Sequence, residues 1–289
     1  MVDVSSVAQT LISGIMMGAL YSLMAFGLQI VYGVMRIINV AHAVLMVFSI
    51  YLTYFLFETY SIDPFLSIAI TLPFMFLIGW GIQRFIVNRV VTAPMVTSLL
   101  LMFGVGQVIE SLIAYYWTSN FKSVTPSYGA TSILLAGLSF PIVRVLGFVV
   151  SIVLLILLDV LIVKTKTGKA IRATAQDREA AQAMGIDINR VFLISFSIAI
   201  ATVAPAGAVT AMIYAFYPTL HYMFTPKLFC ICVLGGLGSI RGVFAGAMIL
   251  GIVEAMTGAF LTLEWAPVVA YGLLITILVV RPRGLFGKA

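Results

Sequence analysis

Apolar residues do not alternate along this chain; they come in long blocks. Nine stand out, at roughly 7–33, 37–57, 65–87, 94–117, 141–163, 191–216, 227–240, 243–262 and 266–280. Several run about 20 residues with almost no charge, which is the length a helix needs to cross a hydrocarbon core about 30 Å thick. Short segments of alternating hydrophobicity, the mark of a membrane β-barrel, are not seen. The pattern predicts an all-α, polytopic membrane bundle of eight or nine spans. The uncertainty in count comes from 227–240, which is short, glycine-broken and readable as a re-entrant piece. Pro64 and Pro94 sit near predicted starts, where a missing N–H is harmless. Pro73 and Pro205 fall inside spans and predict kinks.

Between the fifth and sixth blocks lies a polar island, residues 164–190, KTKTGKAIRATAQDREAAQAMGIDINR. It holds six of the sixteen basic residues: Lys164, Lys166, Lys169, Arg172, Arg178 and Arg190. Asp177 is a good N-cap, and Glu179 in the following turn favours the helix dipole. Residues 180–184 continue a helix that Gly185 stops, and Asp187 can cap the next one. The island therefore predicts a two-turn helix roughly parallel to the membrane and pinned between two spans. Its small alanine face permits close approach by another protein; a plain cytoplasmic hairpin is the alternative.

Orientation follows from Lys and Arg in short loops. Arg84 and Arg89 flank one loop, the island carries six, and Arg281, Arg283 and Lys288 form the tail. The segments 58–64, 118–140 and 218–226 hold only Lys122. With nine crossings the island and tail are cytoplasmic and the N-terminus is outside; with eight the N-terminus is inside. The N-terminal stretch has no basic region or cleavage-like site, so it is not expected to be a removable signal peptide. Segment 118–140 is expected to cap the outer face with a short interfacial helix, as a solvated loop or a docking surface for an external partner. Tyr51, Tyr54, Tyr60, Tyr115, Tyr116 and Trp117 read as an aromatic belt.

Composition narrows the function. The chain is 62% hydrophobic and 9% charged, with a net charge of +6 confined mainly to loops. That balance speaks of membrane orientation rather than nucleic-acid binding. One integral membrane domain over 1–289, with 164–190 as its cytoplasmic loop, leaves no room for a soluble catalytic domain. Cys230 and Cys232, two apart in an apolar segment, are expected to be inert, since a disulfide there is strained and other metal ligands are missing. No GxxxxGK[ST] occurs, so the chain does not cradle nucleotide phosphates itself.

Polar groups inside spans are candidates for a translocation path or gate, or else interhelical hydrogen bonds that specify packing. Arg36, Asn39 and His42 are spaced three apart, which places them on one face of a helix. Gln107 and Glu110 repeat the spacing, and Glu254 sits in the 243–262 block. Asp159 reads as an interfacial anchor. The two histidines, His42 and His221, lack neighbouring acids or thiols in sequence, which argues against a membrane enzyme or a metal site. Gly33 near Arg36, and Gly235, Gly236, Gly238 and Gly242 near Arg241, give two similar span–glycine–arginine–span units at 25–50 and 231–254. Broken helices at matching places in two halves point to a transport pathway in many transporters; close packing alone also uses glycine.

The stretch REAAQAMGI, 178–186, resembles the EAA loop of ABC-importer permeases. Three longer segments, YGVMRIINVAHA (32–43), TGKAIRATAQDREAAQAMGI (167–186) and LGGLGSIRGVFAGAMILG (234–251), are similar to LivH-type permeases of branched-chain amino-acid importers, as is the tail RPRGLFG (281–287). Ala43 departs from the family, where glycine is common at that position. The resemblance implies that Asp177, Arg178, Glu179, Ala180, Ala181 and Gly185 form a coupling helix seated in a groove on a separate ATPase. It also implies a second homologous permease chain, two ABC ATPase subunits carrying ATP and Mg, and a periplasmic or extracellular solute-binding protein. The assembly would sit in a bacterial inner (plasma) membrane and import branched-chain or other small neutral amino acids, with no cofactor in this chain. A urea or amide permease of the same family, and a stand-alone secondary transporter or channel, are the competing readings.

Overall fold

The computed structural model describes residues 4–91, 93–135, 137–281 and 284–286. Its helices are α1 (Val4–Met35), α2 (His42–Tyr60), α3 (Pro64–Phe85), α4 (Met95–Trp117), α5 (Ile142–Lys164), α6 (Lys166–Gln176), α7 (Arg178–Ala183), α8 (Ile188–Ala201), α9 (Val203–Ile213), α10 (His221–Gly235), α11 (Ile240–Phe260) and α12 (Ala266–Val280). Seven stretches are long and apolar enough to cross a membrane, α8 and α9 counting as one; α12 is a shorter apolar helix. This is an all-α polytopic membrane protein, as the blocks predict.

Contacts fix the direction of α1. Gln9 of α1 donates from Nε2 to the carbonyl of Ser139, at the head of α5, over 2.9 Å. The other end of α1 meets the island, where Arg178 donates to the carbonyls of Val34 and Met35. The start of the described chain and the island therefore lie at opposite ends. Seven stretches among the described residues qualify as spans by length and composition, and α10 and α12 are shorter helices beside them. Helix α10 is not re-entrant. It starts at His221, six residues before the predicted edge and with Pro226 inside it, and it ends beside the inner end of α1. Of the tail, Pro282, Arg283, Gly287 and Lys288 fall outside the described residues; Leu285 and Phe286 donate backbone N–H to Leu234 and Gly235, closing over the end of α10.

Small residues let the helices approach. Helices α1 and α11 pack antiparallel and in close contact: a Cβ at Gly14 would lie 2.8 Å from Ile252 Cα, and one at Gly18 2.9 Å from Met248 Cα. In lipid no hydrophobic force favours helix–helix over helix–lipid contact, so such close packing is the main source of association. The α8–α9 pass is the most enclosed, with 89% of its apolar window buried. Pro205 interrupts it at Thr202, three residues upstream, as the missing N–H and ring clash require. Pro73 stays within one continuous α3.

The outer segment departs from expectation. Its described residues form no helix; Ser132–Leu135 (β1) and Leu138–Pro141 (β2) pair as an antiparallel hairpin, with Gly137 at φ +80° in the turn. Tyr128 pins the segment to α3 by donating to Asp63 Oδ2 at 2.7 Å, while Asp63 Oδ1 caps α3 at Phe65 N–H. Burial, then this bond and the Asp63 charge, push the Tyr128 phenol well above its ordinary range. Tyr51 is also corrected: it is fully buried between Trp117 and Phe216, a core residue rather than a belt residue.

Candidate functional site

The island folds as its caps predict, with one addition. Asp177 Oδ1 accepts the N–H of Ala180 at 3.0 Å, α7 follows, Gly185 turns at φ +82°, and Asp187 Oδ1 accepts from Arg190 N–H at 3.1 Å. A second helix, α6, precedes it. Thr165 starts α6 by accepting from Gly168 N–H at 3.0 Å, and Gly168, Ile171 and Thr174 form its buried face. That i, i+3, i+6 spacing was present in the sequence. Helix α7 is a six-residue piece, shorter than the two turns expected. Its alanines divide: Ala181 is buried in the chain's own fold, so it seats the helix, while Glu179, Ala180, Gln182, Ala183 and Met184 face outward.

Arg178 ties α7 to the membrane helices. Its Nη2 donates to Val34 O at 3.4 Å and to Met35 O, the last carbonyls of α1, and its guanidinium lies 4.8 Å over the Phe192 ring of α8. These carbonyls have no partner within their own helix, so a cation there also meets the negative end of the dipole. Burial first, then the neighbouring Arg36, hold its pKa below the ordinary value.

The chain breaks at this point. Residues 36–41 are not helical, and Arg36 takes φ +55°, a left-handed conformation that costs a non-glycine residue about 1–2 kcal/mol. The expected single helical face of Arg36, Asn39 and His42 is therefore absent: only His42 is in a helix. Arg36 is exposed. Asn39 is buried, and neither of its amide atoms has a partner among the described residues. His42 is buried too, with Nε2 2.9 Å from Met24 O.

A second break, 236–239, meets the last two turns of α1. Gly236 and Gly238 hold φ +91° and +87°, which glycine alone adopts freely, and Ser239 caps α11 by accepting from Gly242 N–H at 3.2 Å. Gln29 of α1 donates to Gly236 O at 2.7 Å and Ser239 O at 3.2 Å, and a Cβ at Gly33 would sit 3.2 Å from Gly238 Cα. Gly235 packs on the backbone of Gly242. The second break thus packs on the last two turns of α1, the helix whose end α7 fastens. Gln29 escaped notice in the sequence, although a lone amide in an apolar helix was the signal.

The other candidates lie elsewhere. Gln107 and Glu110 do share a face of α4, 3.4 Å apart, and Glu110 Oε2 is 3.6 Å from His221 Nε2. His221 therefore has acidic company that its sequence neighbours did not show. Glu254 is engaged by Lys227, Nζ to Oε1 2.8 Å, and by Tyr21, whose hydroxyl donates to Oε2 at 2.7 Å. Lys227 was not among the candidates. Cys230 and Cys232 are free and buried, and Asp159 is exposed on α5. Among the described residues no three His, Cys, Asp or Glu side chains gather as a metal site.

Comparison with known proteins covers nearly the whole chain. Residues 10–278 match a family described as branched-chain amino acid transport system / permease component. The chain is 28% identical to the high-affinity branched-chain amino acid transport system permease protein LivH of Salmonella typhimurium, over 97% of this chain and 95% of that one. Against the corresponding permease BraD of Pseudomonas aeruginosa the figures are the same. It is 27% identical to a probable LivH of Methanocaldococcus jannaschii, over 92% of this chain and 88% of that one. No solved structure matches.

Proposed function

The chain belongs to the family of branched-chain amino acid transport system permease components, and from that premise we propose that it is the membrane-spanning subunit of an ATP-driven importer for branched-chain or other small neutral amino acids. It works in a prokaryotic plasma membrane beside a second homologous permease chain. Two ABC ATPase subunits bind ATP and Mg, and an external binding protein delivers the solute. The relatives' names favour branched-chain amino acids over urea or amides.

The observation that carries the reading is the Arg178 guanidinium on the carbonyls of Val34 and Met35. It converts α7 from a surface loop into a lever on α1. On this reading the outward side chains of α7, Glu179, Ala180 and Met184 among them, seat in a groove of the ATPase, and Gly185 sets the angle of exit. Closure of the ATPase pair displaces α7, Arg178 draws the end of α1, and Gln29 with Gly33 passes the displacement to the 236–239 break. Rearrangement of helices α1, α2, α10 and α11 around the two breaks switches access from outside to inside. Asn39, buried within the first break and without a partner among the described residues, is the foremost path or gate residue; His42, Gln107 and Glu110 are further candidates. Glu110 and Glu254 sit in separate pairs with His221 and Lys227, which speaks against the twin carboxylates of an ion-coupled transporter.

The test is reconstitution. Proteoliposomes holding the permease pair, both ATPases and the binding protein are expected to take up labelled leucine with ATP, and to ignore urea. Uptake by this chain alone under a solute or ion gradient would overturn the proposal.

A further inference from the structure

The last turn of α3 and the first turn of α8 enclose a cavity of about 200 Å³ at the inner end of the bundle. Arg84, Arg190, Asn88, Asn189 and Leu193 line it. The one acid in the wall is Asp187, whose Oδ1 is committed to capping α8 at Arg190 N–H. Two arginines against one aspartate leave the lining positive. The N-terminal turn of α8 adds the positive end of its dipole.

An independent observation marks the cavity as a binding place. Gln83 also lines it, is 1% exposed, and has neither its amide nitrogen nor its amide oxygen partnered among the described residues. Buried polar groups are as a rule hydrogen-bonded, so an unpartnered amide beside a cavity leaves a place for a further polar group. In the sequence Arg84 served only as a marker of orientation, and Gln83 had no role.

The surroundings say which anion. Leu66, Ile70, Phe74 and Leu77 are exposed large apolar residues of α3. Their spacing of four, four and three puts them on one side of the helix, and seven further residues along that side is Arg84. An apolar stripe thus runs down the lipid side of α3 and ends at the positive cavity. Arginines placed this way, at the cytoplasmic end of membrane helices, suit acidic headgroups. We propose that this cavity binds the phosphodiester headgroup of an anionic membrane lipid, whose acyl chains lie along the α3 stripe. Arg84 and Arg190 hold the phosphate oxygens, and the Gln83 amide donates to one of them from the buried side.

The full chain in nanodiscs of phosphatidylcholine doped with phosphatidylglycerol tests this, with retained lipids counted by native mass spectrometry. Each arginine is expected to contribute about fivefold to retention of phosphatidylglycerol, and the pair about thirtyfold. Arg84→Gln should lower retention about fivefold, and Arg84→Gln with Arg190→Gln should abolish the preference over phosphatidylcholine. Arg84 is exposed, so these variants do not disturb the core; Arg84→Lys should keep most of the preference. Gln83→Glu, similar in size but negative, should lose it. Undiminished preference in the double variant would overturn the proposal. So would displacement of the lipid by inorganic phosphate at concentrations that saturate the same arginines, which would mark a site for a free anion.

Discussion

The ammonium of Lys227 lies 2.8 Å from the carboxylate of Glu254, joining α10 to α11 inside the bundle, with the Tyr21 hydroxyl of α1 on the second carboxylate oxygen. Both charges are nearly enclosed, so neither tolerates loss of the other. Lys227→Met alone is expected to destabilise the protein by about 3–5 kcal/mol by stranding the carboxylate. Adding Glu254→Gln, which leaves Tyr21 an acceptor, should restore most of that. Thermal unfolding in detergent of the two single variants and the double is the measurement; additive losses would show that the pair is not coupled.

Arg178 predicts an uncoupling phenotype. Charge-assisted hydrogen bonds of its kind contribute about 1.5–3 kcal/mol, so Arg178→Ala should cut uptake roughly tenfold to hundredfold. ATP hydrolysis by the assembled transporter should persist. Arg178→Lys keeps a charge but not the planar group over the Phe192 ring and is expected to fall between. Parallel loss of hydrolysis and uptake would instead mean failed assembly.

Gly185 sits at φ +82° and donates its N–H to Gln182 O at 2.9 Å. Gly185→Pro can satisfy neither condition and should abolish coupled uptake. Gly185→Asn, which tolerates the left-handed region, should retain it. Normal transport in the proline variant would remove α7 from the coupling path.

Asn39→Leu separates packing from function. The substitution removes two buried polar atoms that have no partner, so stability should hold or rise by about 1 kcal/mol. Uptake should nevertheless fall. Unchanged uptake kinetics would return Asn39 to a passive role.

The α1–α11 seam makes a contrast between glycines. A Cβ at Gly251 would lie 2.6 Å from Gly18 N, whereas one at Gly272 meets nothing within 4 Å. Gly251→Leu is therefore expected to cost about 1–3 kcal/mol or more through overpacking, and Gly272→Leu almost nothing. Folded yield by size-exclusion chromatography distinguishes them.

What the sequence revealed was local. The Asp177 cap, the Gly185 stop and the Asp187 cap depend on neighbours a few residues away, and all stand in the structure; Gly33, read as a break, instead lies inside α1. The outcomes missed were decided over long separations. Lys227 meets Glu254, Glu110 meets His221, and Gln29 reaches Gly236, none of which a window along the chain displays. A helix whose faces are both apolar also gives no sign of which face meets lipid and which meets protein. That is why Tyr51 passed for a belt residue when it is core. The start of α10 was hidden for a related reason: Pro226 marks an edge in most helices, but here the helix runs on through it, with the ring on an exposed face.

The α8–α9 pass, sheathed almost entirely by other helices, is relieved of any duty to dissolve in fat. Its alanines, serines and glycine, among them Ala199, Ala204, Ala206, Gly207 and Ala208, answer only to the girth of their neighbours. A saturation scan should therefore find this segment graded by side-chain volume, forgiving of serine for alanine and unforgiving of leucine. The outer helices α4 and α5 should show the reverse ordering.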